Sequence, residues 1–251
     1  MPNPPDYSWS VRAHQPIDYQ VMLVQNLLDP SNSALARACG ADGIHQVRCL
    51  VVIDSTVSEL YGDRIRAYFE SWRISAVWQA APGNEASKTL EHAVEITEAM
   101  SRMGILRRTE MVVAIGGGVV LDVVGLAAGL YRRGTPYVRV PTTLVGQIDA
   151  GIGVKTGVNH GQHKNRLGVY CPPSTALIDT EFLRTVPERH IWNGMAEIIK
   201  MALVKDSALF SLLEIAVPPP GATGSLVGSC SAPRTRACGS ARISSGCPST
   251  A

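Results

Sequence analysis

Between residues 48 and 179 the chain alternates short, nearly continuous apolar runs with stretches of mixed polarity. The runs are RCLVVID (48–54), ISAVWQA (74–80), MVVAIG (111–116), YVRVPTT (137–143) and STALID (174–179), each closed by Asp, Gly, Pro or Thr. Runs of this length with little polar alternation predict strands of a parallel sheet covered on both faces. Between the second and third runs, Leu90, Ala93, Val94, Thr97 and Met100 recur at helical spacing, which predicts a helix over 85–102 with Asn84 at its N-cap. Strand and helix alternating over more than 100 residues predicts an α/β domain with a Rossmann-like, doubly wound parallel sheet.

After Pro187 the pattern changes. ERHIWNGMAEIIKMALVKDSALFSLLE (188–214) keeps a helical period with no strand-like run, as at the opening of an all-helical domain. From Ile215 onward the pattern stops: 17 of the last 37 residues are Pro, Gly or Ser, and Asp, Glu, Lys and aromatic residues are absent. Such a segment buries too little apolar surface to offset its chain entropy, so disorder is expected. The expected organisation is therefore an α/β domain over 1–180, the start of a helical domain over 181–214, and a tail over 215–251.

Bulk properties narrow the function. The 23 basic and 21 acidic residues nearly cancel, giving no electrostatic footprint for nucleic acid or an anionic membrane surface. The longest apolar stretch, Val119 to Leu130, is broken by Asp122 and is too short to span a bilayer. MPNPPDYSWS has neither the basic start nor the apolar run of a secretory signal, so a cytoplasmic location is expected. The six cysteines form no C-x-x-C pair and read as buried or incidental thiols.

Candidate chemistry gathers at the strand ends. AIGGGVVLDVVG (114–125) reads as strand, glycine turn and helix start; its backbone N–H groups suit phosphate, though the G-x-G-x-x-G fingerprint is absent. Asp54 closes the first run, where a carboxylate meets either a ribose hydroxyl or a turn. In GNEASK (83–88), Glu85 and Lys88 read either as an exposed ion pair or as ligand contacts. The densest stretch is 140–168. Thr142 and Thr143 leave a strand end, and Asp149, Lys155, Asn159, Lys164 and Asn165 follow among small residues that cannot fill a core. With Arg132 and Arg133 nearby, they suit a phosphorylated, hydroxyl-rich ligand; the competing reading is a solvated loop. His160 and His163 read as surface histidines rather than metal ligands, and Glu197 with Lys200 as a helix-surface ion pair.

Taken together, PGNEASK, AIGGGVVLDVVGLAAGLYRRGTPYVRVPTTLVGQIDAGIGVKTGVN, HKNRLG, FLRTVPERH and NGMAEIIK make the chain from about Val47 to Leu213 resemble the sugar phosphate cyclases, the superfamily of 3-dehydroquinate synthase. DAGIGVKTGVN and HKNRLG look like the 2-epi-5-epi-valiolone synthase branch, as does the N-terminal WSVRAHQPIDYQV. Dehydroquinate synthases typically carry D-S-S-x-G-G-K-T and G-K-N-L-I-G at the first two places, and Asn where this chain has Thr56.

The resemblance implies NAD held by Asp54, Glu85, Lys88, Gly117, Gly118, Asp122, Thr142, Thr143, Lys164 and the run Phe182, Leu183, Arg184 and Thr185. It implies substrate held by Arg133, Asp149, Lys155, Asn165 and Lys200, with Lys155, Asp149 and Lys200 catalytic, and Glu197 as a ligand of a divalent zinc or cobalt ion. The implied substrate is sedoheptulose 7-phosphate. Transient oxidation of a hydroxyl, loss of phosphate, reduction and aldol closure would convert it to a C7 cyclitol for natural product biosynthesis, with NAD regenerated. A 3-dehydroquinate synthase and a non-catalytic NAD or sugar phosphate-binding remnant stand as alternatives. The resemblance also implies a further helical domain with two histidine metal ligands and a homodimer when that domain is complete. Because the family pattern ends near Glu214, residues 215–251 read as a shifted frame or truncation scar, with little or no turnover expected.

Overall fold

A computed structural model of the chain describes residues 8–216. Six parallel strands form one sheet: β1 (Gln20–Leu23), β2 (Val47–Asp54), β3 (Ile74–Ala81), β4 (Met111–Gly116), β5 (Tyr137–Pro141) and β8 (Thr175–Ile178), in the spatial order β1-β8-β5-β4-β2-β3. The five runs read from sequence are β2, β3, β4, β5 and β8. The fourth ends at Pro141 rather than 143: Thr142 makes one last bond across to β4, its N–H to the Gly116 carbonyl (2.9 Å), before the chain turns at Thr143.

Successive residues of each central strand enter opposite cores. Cys49, Val51 and Ile53 of β2 join Val113 and Ile115 of β4 beneath α1 (Ala34–Ala38) and α2 (Ser55–Ser71). Leu50 and Val52, with Val112 and Ala114, face α3 (Leu90–Met103) and α4 (Gly118–Leu130) on the other side. This two-faced burial is why the strands read as continuous apolar runs, and it makes the sheet doubly wound.

The helix expected over 85–102 divides in two. Asn84 caps only a short 3-10 turn, Glu85–Ser87, and α3 begins at Leu90 under the side chain of Thr89. Gly104 ends α3 in the left-handed conformation (φ 64°) that glycine adopts without Cβ strain. Elements not assigned from the sequence are β1, α1, α2 and an antiparallel ribbon of β6 (Lys155–His160) and β7 (His163–Tyr170), paired from Lys155↔Tyr170 to His160↔His163. The ribbon lies on α4, where Gly125 and Gly129 are one turn apart. A Cβ on Gly125 would meet the Thr156 side chain, and one on Gly129 would meet Val169 Cγ2 at 2.7 Å.

Beyond β8, a 3-10 turn (Thr180–Thr185) leads into α5 (Glu188–Lys205) and α6 (Ser207–Ala216), as the helical period of 188–214 predicts. α5 is seated on the loop after β5, since a Cβ on Gly194 would collide with Leu144. The tail is expected from 215, but α6 carries the chain helically through Ala216; the rest of it, 217–251, lies outside the described residues. Cys39, Cys49 and Cys171 are free thiols, and among the described residues no helix is long and apolar enough to cross a membrane.

Replacing Gly125 by Val should force the ribbon off α4. A loss of about 1–3 kcal/mol in urea unfolding is expected, with the far-UV signal of the folded state unchanged.

Candidate active site

The chain passes from β2 outward to β3, then returns to β4 on the other side of β2 and continues to β5. The crevice between the C-terminal ends of β2 and β4 is therefore the point where strand order reverses, the usual ligand position in an open α/β sheet. Asp54 stands at its edge. Its Oδ1 accepts from the N–H groups of Thr56 (2.8 Å) and Val57 (3.3 Å), capping α2. Its carboxylate occupies the space a Cβ on Gly83 would need, so Gly83 is fixed by the close approach of PGN to β2.

Across the crevice, β4 ends at Gly116 and α4 starts at Gly118. The N-cap, Gly117, supplies no side chain to the first-turn N–H groups. A Cβ on Gly117 would lie 3.1 Å from Thr143 Cγ2, so backbone and threonine meet at the turn. A side-chain-free helix N-terminus at a switch point fits the pyrophosphate of a dinucleotide.

One turn into α4 stands Asp122. Its Oδ2 is 2.6 Å from Lys88 Nζ, and both side chains are largely buried (17% and 8% exposed). Lys88 Nζ also donates to Asn165 Oδ1 at 2.7 Å. Glu85 and Lys88 do not pair with each other, against the ion-pair reading of GNEASK. Residue 88 lies just past the 3-10 turn and points inward, whereas Glu85 stays exposed and meets Asn159 Nδ2 (2.9 Å) and Lys164 Nζ (3.7 Å). Burial holds the Asp122 carboxyl above the ordinary carboxylate value, although the hydrogen bond and charge of Lys88 pull it down.

The stretch 140–168 is not one loop. After Thr143, whose Oγ1 accepts from the Gly146 N–H (3.2 Å), the backbone forms a π turn, Gly146–Ala150, that presents Asp149 to solvent. Fully buried Arg139 supports this turn, donating from Nη1 to the carbonyls of Ala150 (2.9 Å) and Gly153 (2.5 Å). Asp149 acts electrostatically on both Asp122 and Lys200, so the turn faces α4 and α5. On α5, Lys200 donates to Glu197, which raises the lysine above its usual value. Lys155, exposed, opens β6 just after the Asp149 turn; Lys164 and Asn165 lie at the opposite, turn end of the ribbon, beside exposed His160 and His163.

Two groups of expected residues sit apart from this cluster. Arg133, in a left-handed conformation (φ 63°), follows the C-terminus of α4. It is at the strand N-terminal edge of the sheet, where Gly134 accepts from Arg107 Nε (2.6 Å). Of the run 182–185, the Phe182 ring is core, edge-on to Tyr61 at 5.2 Å, and Thr185 Oγ1 bonds the Tyr61 hydroxyl (2.9 Å). Arg184 pairs with Glu181 (3.0 Å). Among the described residues no three His, Cys, Asp or Glu side chains converge on a metal position. Glu197 and the residues around it are thus not by themselves a metal centre.

The fold and crevice are those of a Rossmann-like α/β domain whose switch point gathers a side-chain-free helix N-terminus with cationic and amide side chains. Comparisons with known proteins agree. Residues 78–193 match the family model "3-dehydroquinate synthase N-terminal". A 2-epi-5-epi-valiolone synthase of Actinomyces sp. is 50% identical over 206 residues, 82% of this chain and 54% of that protein. The solved 2-epi-5-epi-valiolone synthase of Streptomyces hygroscopicus subsp. jinggangensis 5008, with NAD+ and Zn2+ bound, superposes with a TM-score of 0.77 at 50% identity, covering 82% of this chain and 55% of that one. A 2-deoxy-scyllo-inosose synthase complexed with carbaglucose-6-phosphate, NAD+ and Co2+ superposes with a TM-score of 0.64 at 28% identity, covering 74% and 48%. The chain belongs to the sugar phosphate cyclase family. It spans about half the length of the curated relatives it matches.

Removing Lys88 leaves a buried carboxylate without its counter-charge. Lys88→Met should cost about 3 kcal/mol in denaturant unfolding at pH 7. Asp122 then rises further above its unfolded value, so it takes up its proton in the folded chain before the unfolded one does. The deficit should therefore shrink as pH is lowered through that raised value, and adding Asp122→Asn should recover part of it at pH 7.

Proposed function

We propose that the chain is the cofactor-binding part of a 2-epi-5-epi-valiolone synthase, which converts sedoheptulose 7-phosphate to 2-epi-5-epi-valiolone with loss of phosphate. The observation that carries the reading is the buried Lys88–Asp122 pair tied to Asn165 beside a side-chain-free helix N-terminus. The half-identical valiolone synthases support the substrate choice, together with DAGIGVKTGVN and HKNRLG in place of the dehydroquinate synthase patterns.

Gly117, Gly118 and Thr143 would receive the NAD pyrophosphate, with Asp54 at the ribose side and Glu85, Lys88, Asp122, Thr142 and Lys164 around the crevice. Residues 182–185 would contribute through backbone, because Phe182 is committed to the core. NAD supplies a reversible hydride transfer that makes a neighbouring C–H acidic long enough for phosphate to leave. Lys155, Asn165 and Lys200 would bind the phosphate and hydroxyls, and Asp149 would orient a hydroxyl from the π turn. Lys200 Nζ, raised by Glu197, keeps its proton at neutral pH and so serves as a cation and donor rather than a base. Arg133 would act in the substrate site of an assembled protein.

Glu197 is proposed as one ligand of a divalent zinc or cobalt ion. The described residues give it no converging set, so no step is drawn through the metal. A homodimer, a cytoplasmic location, and the division into 1–180 and a helical region from 181 belong to the same proposal. The family model's own name keeps dehydroquinate synthase as the second reading.

Purified chain should bind NAD in a calorimetric titration. Phosphate release from sedoheptulose 7-phosphate, and not from the dehydroquinate synthase substrate, supports the valiolone reading; the opposite preference replaces it. NAD binding with no phosphate release from either leaves a cofactor-binding remnant, and no NAD binding refutes the proposal. Lys155→Ala should weaken sugar phosphate binding at least tenfold while NAD affinity and unfolding midpoint stay unchanged, since Lys155 is exposed.

A further inference from the structure

Asn159 reads in the sequence as one of two amides for a ligand, yet the fold commits its polar groups elsewhere. Its Nδ2 donates to Glu85 Oε1 at 2.9 Å, and its Oδ1 accepts from the backbone N–H of Asn165 at 2.9 Å. Its own N–H donates to the carbonyl of Lys88 at 2.8 Å. One residue thus touches both residues of GNEASK assigned to the cofactor and the hairpin residue assigned to the substrate.

We propose that Asn159 is a positioning residue that clasps the 84–89 segment to the ribbon turn, linking the NAD and sugar phosphate sites energetically. The proposal rests on the function proposed above. Besides this clasp, the two parts are joined by the buried Lys88 contact with Asp122 and Asn165 and by the exposed Lys164–Glu85 pair. Residues 84–89 form one short 3-10 turn outside the sheet. Asn165 adopts a left-handed backbone (φ 53°), uncommon for a residue with a Cβ, and its N–H is satisfied by Asn159. Once placed, Asn165 Oδ1 takes a hydrogen bond from Lys88, whose other partner is Asp122. A ligand that tightens either side tightens the other through Asn159, so the second ligand pays less to order its own site, which is coupling between sites. The task needs a short side chain that donates and accepts at once. Alanine does neither, and an ionised aspartate only accepts.

The charged groups around this contact are Lys164, 3.7 Å from Glu85 Oε1, with Lys88 and Asp122 behind. Glu91, His92 and His160 lie on the flank, where both histidines act on Glu91. Wild type and Asn159→Ala carry the same flanking groups and so give the pH baseline.

The test compares Asn159→Ala and Asn159→Asp with wild type by amide hydrogen exchange of the ligand-free chain. It also compares NAD affinity from pH 8 to pH 5, with and without sedoheptulose 7-phosphate. The Asn165 amide should lose protection in Asn159→Ala and keep it in Asn159→Asp. Asn159→Ala should bind NAD about tenfold more weakly at every pH and lose the enhancement by sugar phosphate, about fivefold in wild type. Asn159→Asp should be equally weak at pH 8, where it faces the Glu85 carboxylate, and recover toward wild type at pH 5, where a shared proton restores the bridge. Unchanged Asn165 exchange in Asn159→Ala overturns the clasp. Unchanged coupling, or a weakening with no recovery of Asn159→Asp in acid, overturns the linkage. Absence of NAD binding in wild type overturns the functional reading and the linkage, while Asn165 exchange still decides the clasp.

Discussion

A lysine ammonium buried between a carboxylate and an amide is the constraint on which the site depends. Lys88 cannot retreat to water without stranding Asp122 in α4, nor can Asn165 leave without removing a partner from a desolvated cation. Three parts of the chain distant in sequence are therefore held together by one charge. These are the segment after β3, the first turns of α4 and the turn of the ribbon. Buried pairs of this kind stabilise little by themselves, because desolvation offsets much of the attraction. Their effect is to make any other arrangement costly, and so to fix a geometry.

The parallel sheet was legible because burial on both faces leaves its strands apolar at successive positions, as in Val51, Val52 and Ile53 of β2. β1 escaped because all four of its residues are exposed at the sheet edge, so burial left no pattern. α2 carried its signal in Val57, Tyr61, Ile65 and Phe69, capped by Asp54, but Gly62 and interleaved polar residues blur the stripe. The ribbon was hidden for a different reason. It sets Thr156 and Val169 against glycines of α4, while Gly157 and Gly168 face each other across the two strands, so no run of large apolar residues marks it.

The site was legible by composition and motif more than by geometry. Dense polar residues among small ones marked 140–168 as a candidate ligand-facing stretch, and the roles within it came from the family resemblance alone. What sequence could not separate was inward from outward. Lys88 and Glu85 differ by three positions and face opposite environments because the 3-10 turn ends at Ser87 and Lys88 already has a non-helical backbone (φ -79°, ψ 66°). Asn159 and Asn165 are both amides in one stretch, yet one is a structural clasp and the other bonds Lys88. Arg139 looked like part of a strand, and only the fold shows its guanidinium propping the backbone under Asp149.

The two glycines beneath the ribbon bear on more than packing. Gly125 and Gly129 let β6 and β7 rest almost directly on the α4 backbone, so the height of the ribbon above the crevice is set by two missing methyl groups. Lys155 and Asn165 ride on that ribbon, whereas Gly117 and Gly118 are fixed at the root of the same helix. The spacing between these two sets of groups is thus a dimension that single side-chain additions can dial. The depth of the crevice is therefore written into the seam under the ribbon, away from the side chains that line it.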